Sequence, residues 1–165
     1  MTNAWRTNSM YDPNAATGGH QPMYFDQLGL FYKFYSVLSS TISVRFQNTA
    51  FAPYLAIVRV QDGLTAPAAN FDSYMEQPGV AARLVTNANA VTLTRRWSCK
   101  GMDRSDNIGT FGNFGTGSDP VITPLFTVTA AMQDTAGTFA AGNPQVTVTV
   151  RYKALLTQRI DVAGS

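Results

Sequence analysis

Gln145-Val146-Thr147-Val148-Thr149-Val150-Arg151-Tyr152-Lys153 sets an apolar side chain at every second position and a polar one between. Successive strand residues point to opposite faces, so a period of two marks a strand with one buried face. The same signature runs through Ile42-Ser43-Val44-Arg45-Phe46-Gln47, with Thr41 before it, and through Ile122 to Met132. Leu55 to Gln61 adds the β-branched run Ile57, Val58 and Val60, and Val91 to Cys99 sets Val91, Leu93, Trp97 and Cys99 on one face. In that last run Arg95 falls on the apolar face and Arg96 on the other, which predicts either an Arg95 paired inside an interface or a bulge. Shorter strands are expected at Ala82 to Thr86 and near the start, where Trp5, Met10 and Tyr11 precede the turn signal Asp12-Pro13-Asn14.

One segment has a different spacing. Phe25, Leu28, Phe31, Tyr32 and Tyr35 recur at three and four, with Asp26 near the start, and predict a short helix from about Asp26 to Phe34. Six or seven strands, one helix after the first of them and several long loops describe an all-β antiparallel sandwich. Long connections in place of tight hairpins favour a Greek-key or jelly-roll path. A chain of 165 residues suits a single domain spanning 1–165 with a full core.

Composition narrows the chemistry. One cysteine, Cys99, excludes an internal disulfide, and one cysteine with one histidine, His20, cannot build a Cys/His zinc site. Any Ser-His-Asp or Cys-His catalyst would have to use His20, no G-x-S-x-G elbow occurs, and Cys99 sits on an apolar strand face. Ten carboxylates offer no spacing that selects a glycosidase-like pair. Asp103, Asp106 and Asp119, or Asp72 and Glu76, are loop carboxylates of the kind that bind Ca²⁺, and equally ordinary solvated turn residues. The reading is a protein without a catalytic residue, a metal or a cofactor. No run approaches the roughly 20 apolar residues of a membrane span.

Charged residues make up 13% of the chain, about half of the usual share of roughly 25%, with only three lysines and one glutamate. Interfaces are depleted in Lys and Glu, so this surface suits a subunit that contacts copies of itself. The net charge of +2 is too small to argue nucleic-acid binding alone. The densest basic group is Arg95, Arg96, Lys100 and Arg104 around Trp97, where guanidinium groups suit phosphate and an indole suits a base.

Tyr11-Asp12-Pro13-Asn14, Thr17-Gly18-Gly19-His20-Gln21-Pro22, Phe25-Asp26-Gln27-Leu28, Tyr32, Tyr35-Ser36-Val37-Leu38 and Ile42-Ser43-Val44 form an ordered pattern. It resembles the N-terminal half of capsid proteins from small circular Rep-encoding single-stranded DNA (CRESS-DNA) viruses. Weaker echoes follow in Glu76-Gln77-Pro78-Gly79, in Thr94-Arg95-Arg96-Trp97-Ser98 with Lys100, and in Arg151-Tyr152. The resemblance implies a single eight-stranded jelly roll that assembles with itself into an icosahedral T=1 shell of about sixty copies. It further implies single-stranded DNA as cargo, residence in the virion, and assembly in the host nucleus or cytoplasm. Members usually begin with an Arg/Lys-rich arm, whereas Met1 to Tyr11 carries only Arg6, so the chain is expected either to be truncated or to package weakly. Candidate nucleic-acid contacts are Arg6, Arg95, Arg96, Lys100 and Arg104. The motif residues Asp12, Pro13, Gly19, His20, Gln21, Pro22, Phe25, Asp26, Gln27, Tyr32 and Tyr35 are read as structural: Pro22 fixes φ, the glycines allow a tight turn, and the aromatics close one end of the sandwich. The competing reading is a jelly-roll lectin with Phe111 and Phe114 stacking on sugar.

Overall fold

A computed structural model describes residues 2–15, 20–49, 53–61, 75–87, 89–99, 114–115, 117–120, 123–133, 139–141 and 144–160. They form β1 (Thr2–Arg6), α1 (Phe25–Gly29), β2 (Tyr32–Gln47), β3 (Tyr54–Gln61), β4 (Ala81–Val85), β5 (Val91–Ser98), β6 (Phe114–Gly115), β7 (Leu125–Gln133), β8 (Phe139–Ala141) and β9 (Gln145–Arg159). Among the described residues seven strands have five or more residues, and every strand pair is antiparallel.

Two sheets face each other. One runs β1-β7-β3-β4, with β8 continuing the β1 edge of β7. In the other, β2 lies between β9 on one side and β5 with β6 on the other. Their inner faces share one core: Ile42, Val44 and Phe46 of β2 and Leu93 and Trp97 of β5 meet Ala56, Val58, Phe126, Val128 and Ala130 of the opposite sheet. The Tyr152 hydroxyl donates to the Arg6 carbonyl at 2.8 Å and ties β9 to β1 along one flank. Along the other, a guanidinium nitrogen of Arg95 donates to the Val80 carbonyl just ahead of β4.

The helix is the main correction. It covers Phe25–Gly29 rather than Asp26 to Phe34, and Tyr32 already belongs to β2. Gly29 weakens the helix, while the aromatic and β-branched residues after it suit a pleated strand. Of the predicted stripe, Phe25 and Tyr35 are buried, Leu28 and Phe31 are exposed, and Tyr32 is half-buried. The apparent switch of period marks a bulge inside one long strand. Val37 pairs with Ala154 and Ser39 with Lys153, so Leu38 is the extra residue. Tyr35 and Val37 face the core at odd positions before it, and Ile42, Val44 and Phe46 at even positions after it.

The expectations at Leu55 to Gln61, Ala82 to Thr86, Val91 to Cys99 and Ile122 to Met132 agree with β3, β4, β5 and β7 to within a few residues. By contrast, β1 ends at Arg6 and leaves Met10 and Tyr11 outside it, β9 runs on to Arg159, and the short strands β6 and β8 lie in stretches read as loops. β5 pairs with β2 in unbroken register from Val91 to Ser98, so it has no bulge. Arg95 is accommodated on the inner side because β5 lies at the flank, where the Val80 carbonyl meets it.

Candidate nucleic-acid interface

The N-terminal motif builds a polar knot at the flank joining β1 and β9. Arg6 Nη1 lies 2.5 Å from Asp12 Oδ2 and 3.7 Å from Asp119 Oδ2, and donates to the Asp12 carbonyl at 2.6 Å. The Asp12 amide donates to Ser9 Oγ at 3.2 Å, and Ser9 Oγ in turn donates to Asp119. The Tyr35 hydroxyl donates to the Ser118 carbonyl at 3.1 Å and lies 3.4 Å from Ser9 Oγ. Asp12-Pro13-Asn14 thereby folds back on β1: the Arg6 amide donates to Pro13 O at 2.7 Å and the Ala15 amide to Ala4 O at 3.0 Å. Arg6, a candidate nucleic-acid contact in the sequence, is thus held between two carboxylates.

In the next part of the motif, the Phe25 amide donates to Pro22 O at 3.0 Å. With its amide nitrogen facing the carboxylate, Gln21 donates to Asp26 at 2.5 and 3.2 Å. Asp26 sits in the first turn of α1, and Phe25 packs edge-on against Tyr35 with centroids 5.4 Å apart. His20 is exposed, with Nδ1 3.4 Å from Gln21 O. A shallow cleft lined by His20 to Gln27 holds one histidine and one aspartate but no hydroxyl or thiol nucleophile of Ser, Thr or Cys. Gly19 lies outside the described residues.

Burial raises the pKa of the Tyr35 phenol, and hydrogen bonds from Ser9 and the neighbouring backbone only partly oppose it. Burial also pushes Tyr152 strongly upward, with lesser effects from Tyr35, Arg6 and Asp12. The folded state therefore holds both phenols protonated, whereas an unfolded tyrosine loses its proton near pH 10. Stability is complete below that pH and declines as pH rises above it, by up to about 1.4 kcal/mol per unit for each such group. Denaturant midpoints should stay level to about pH 9.5 and then fall. Tyr152→Phe should lose about 1 kcal/mol at neutral pH and show a shallower alkaline decline. An alkaline slope equal to that of the parent would refute the assignment.

The basic group resolves differently from its sequence reading. Trp97 is 2% exposed and part of the core, so it cannot stack on a base. Arg95 is tied to Val80 O, and Lys100 and Arg104 lie outside the described residues. Of its described members, Arg96 is the exposed one, on the outer sheet face.

There it has company. Across β5, β2 and β9 the register sets Ser98, Ser39 and Lys153 in one row and Arg96, Thr41 and Arg151 in the next. Thr94, Ser43 and Thr149 make a third row, and Thr92, Arg45 and Thr147 a fourth. These twelve positions hold four cations and eight hydroxyls, with no carboxylate among them. Arg45, Arg96, Arg151 and Lys153 are all exposed. Thr94 Oγ1 donates to Ser43 Oγ at 3.5 Å, so the neighbouring strands β5 and β2 are in contact through hydroxyls within the third row. Arg96 and Arg151 flank Thr41 two strand spacings apart, roughly 10 Å. Guanidinium groups bind phosphate oxygens in a fork, and Ser and Thr hydroxyls donate to them. These side chains are of the kind that suits phosphate oxygens, and the twelve positions include no aromatic residue.

Sequence reading missed Arg45, Arg151 and Lys153 as partners of Arg96 because they lie far apart in the chain. The available signal was that each occupies the polar phase of an alternating strand. Among the described residues no group of three His, Cys, Asp or Glu side chains could hold a metal ion, and no helix is long and apolar enough to cross a membrane. Compared with known proteins, the chain matches no family model, no curated protein and no solved structure.

Proposed function

We propose that the chain is the subunit of a small icosahedral shell, a jelly-roll capsid protein of the CRESS-DNA virus kind, whose cationic sheet face lies toward an enclosed single-stranded DNA. The observation that carries this reading is the nesting of strand pairs. β3 pairs with β4, β2 with β5, and β1 with β7, each pair enclosing the previous one in sequence while alternating between sheets. A hairpin ribbon wound in this way is the path of a jelly roll. The knot of Arg6, Asp12, Ser9, Tyr35 and Asp119 gives the sequence motif a structural role in the same fold.

Self-contact is supported by the surface beside α1. Met23, Tyr24, Leu28, Leu30 and Phe31 are all exposed, at 81, 69, 37, 68 and 48%. So compact a cluster of large apolar side chains fits an interface, and the low Lys and Glu content agrees with it.

Purified protein is expected to form closed, uniform particles by negative-stain microscopy and light scattering, with about sixty subunits each. A monomer or dimer mass across a range of salt and pH would overturn this. At a net charge of +2 per chain, about sixty copies supply roughly 120 positive charges. A genome above about a thousand nucleotides carries about one negative charge for each, so these shells should protect little nucleic acid from nuclease.

A further inference from the structure

We propose that Arg59 and Thr127 form a binding site for a tetrahedral oxyanion, a phosphate or a sulfate, on the face of the β1-β7-β3-β4 sheet that points away from the core. The two residues are directly opposed on neighbouring strands, Arg59 on β3 and Thr127 on β7. Directly opposed residues share a face of the sheet, with Cα atoms about 4.5 to 5.5 Å apart. Val58 and Val60 on one strand and Phe126 and Val128 on the other pack against the core, so Arg59 and Thr127 take the opposite face.

That face is not an ordinary solvated one. Ile57, Leu125, Thr129 and Ala131 share it and are all buried, and Thr127 is only 3% exposed. Arg59 is half-buried among them. Its Nη1 donates to the side-chain oxygen of Gln77, which fixes the plane of the guanidinium. Its Nε is buried without an acceptor, and Thr127 Oγ1 is buried without a partner. Several buried side-chain atoms among the described residues lack a partner, and these two are the pair that strand register sets opposite each other. The ion pairs among the described residues are those of Arg6, so no carboxylate there pairs with Arg59.

A guanidinium drawn out of water needs a counter-charge, and a buried hydroxyl needs a partner. One oxyanion between the two side chains supplies both. Guanidinium groups present two parallel N–H bonds to a pair of oxygens. Gln77 occupies Nη1, which leaves Nε and Nη2 to form that fork. The threonine hydroxyl donates to a third oxygen, which a tetrahedral anion has and a carboxylate lacks. Gln77 is then a positioning residue, and the Glu76-Gln77-Pro78-Gly79 turn acquires a role. The site lies on the sheet opposite Arg45, Arg96, Arg151 and Lys153, and it is independent of shell assembly, which is measured separately by particle mass.

The test is a phosphate titration of the full chain carrying Arg45→Gln, Arg96→Gln, Arg151→Gln and Lys153→Gln, which removes the cations of the other sheet. Inorganic phosphate is followed by phosphorus NMR line broadening and by thermal melts at constant ionic strength, against sulfate, acetate and chloride. Phosphate and sulfate also stabilise proteins by exclusion from their surface, a rise that does not saturate. Binding at the site should saturate, and phosphate at ten times its dissociation constant should raise Tm by about 3 to 5 °C over chloride, with no such rise in acetate. Arg59→Lys keeps the charge but loses the fork, and Thr127→Val keeps the shape but loses the hydroxyl. Each should weaken phosphate about ten-fold. In chloride, Thr127→Val should melt no lower than its parent, because it removes an unpartnered buried hydroxyl. Thr129→Val, on the same face of β7, is the control and should bind phosphate as its parent does. A non-saturating rise shared by all variants, acetate binding equal to that of phosphate, or undiminished phosphate affinity in Thr127→Val would each overturn the proposal.

Discussion

Tyr35→Ala is expected to lower the melting temperature by about 10 °C, since truncating a fully buried aromatic costs about 3 to 5 kcal/mol and each kcal/mol moves a domain of this size by roughly 2 to 4 °C. The Tyr35 side chain has no exposure and packs edge-on against Phe25. Its hydroxyl donates to the Ser118 carbonyl and lies against Ser9, so the substitution also removes a bridge among β2, the N-terminal segment and the stretch before β7. Tyr32 entered the sequence reading as an equal member of the aromatic stripe. It is half-buried at the start of β2, and Tyr32→Ala and the exposed His20→Ala should each shift the melt by only a few degrees. Tyr35→Phe isolates the hydrogen bonds, at about 1 kcal/mol. A Tyr35→Ala melt as high as that of Tyr32→Ala would mean that the end of the sandwich is not closed by this ring.

The second large effect concerns the grid on β5, β2 and β9. Replacing Arg45, Arg96, Arg151 and Lys153 together by glutamine removes its four cations from an exposed face with no carboxylate to rebalance. Single-stranded nucleic acid releases about 0.7 counterions per phosphate neutralised, so the slope of log affinity against log salt should fall by roughly 3. At about 0.15 M salt this corresponds to a loss near two orders of magnitude in affinity for an oligothymidylate. Arg83→Gln, on an exposed position of β4 in the other sheet, serves as the control and should change little. An unchanged salt slope in the fourfold variant would remove this face as the polyanion interface. All four side chains are exposed, so the same variant should retain its melting temperature.

Much of this architecture was legible in the linear chain because it depends on local periodicity. Val146 to Lys153 and Ile42 to Gln47 alternate because one face of each strand meets the core, and that constraint acts on every second residue wherever the strand sits. The low charge content and the single cysteine likewise bound the chemistry without coordinates. The helix after β1 was expected too long because Tyr32 and Tyr35, at the start of β2, continue by coincidence the three-and-four spacing of Phe25 and Leu28, and only tertiary pairing with β9 shows that they belong to a strand.

What the sequence by itself determined is therefore the class: strands with one buried face, a single short helix near the start, and no residue set for a Cys/His zinc site or an internal disulfide. Only the tertiary structure decided which charges act together. Arg95 and Arg96 are neighbours in the chain, yet the pleat sends one inward to the Val80 carbonyl and the other outward beside Arg151. Arg6 looked free until the fold brought Asp12 and Asp119 to its guanidinium. Register between strands is a long-range property, set by how the two apolar faces match across the core. Local spacing cannot encode the row that joins Arg96, Thr41 and Arg151.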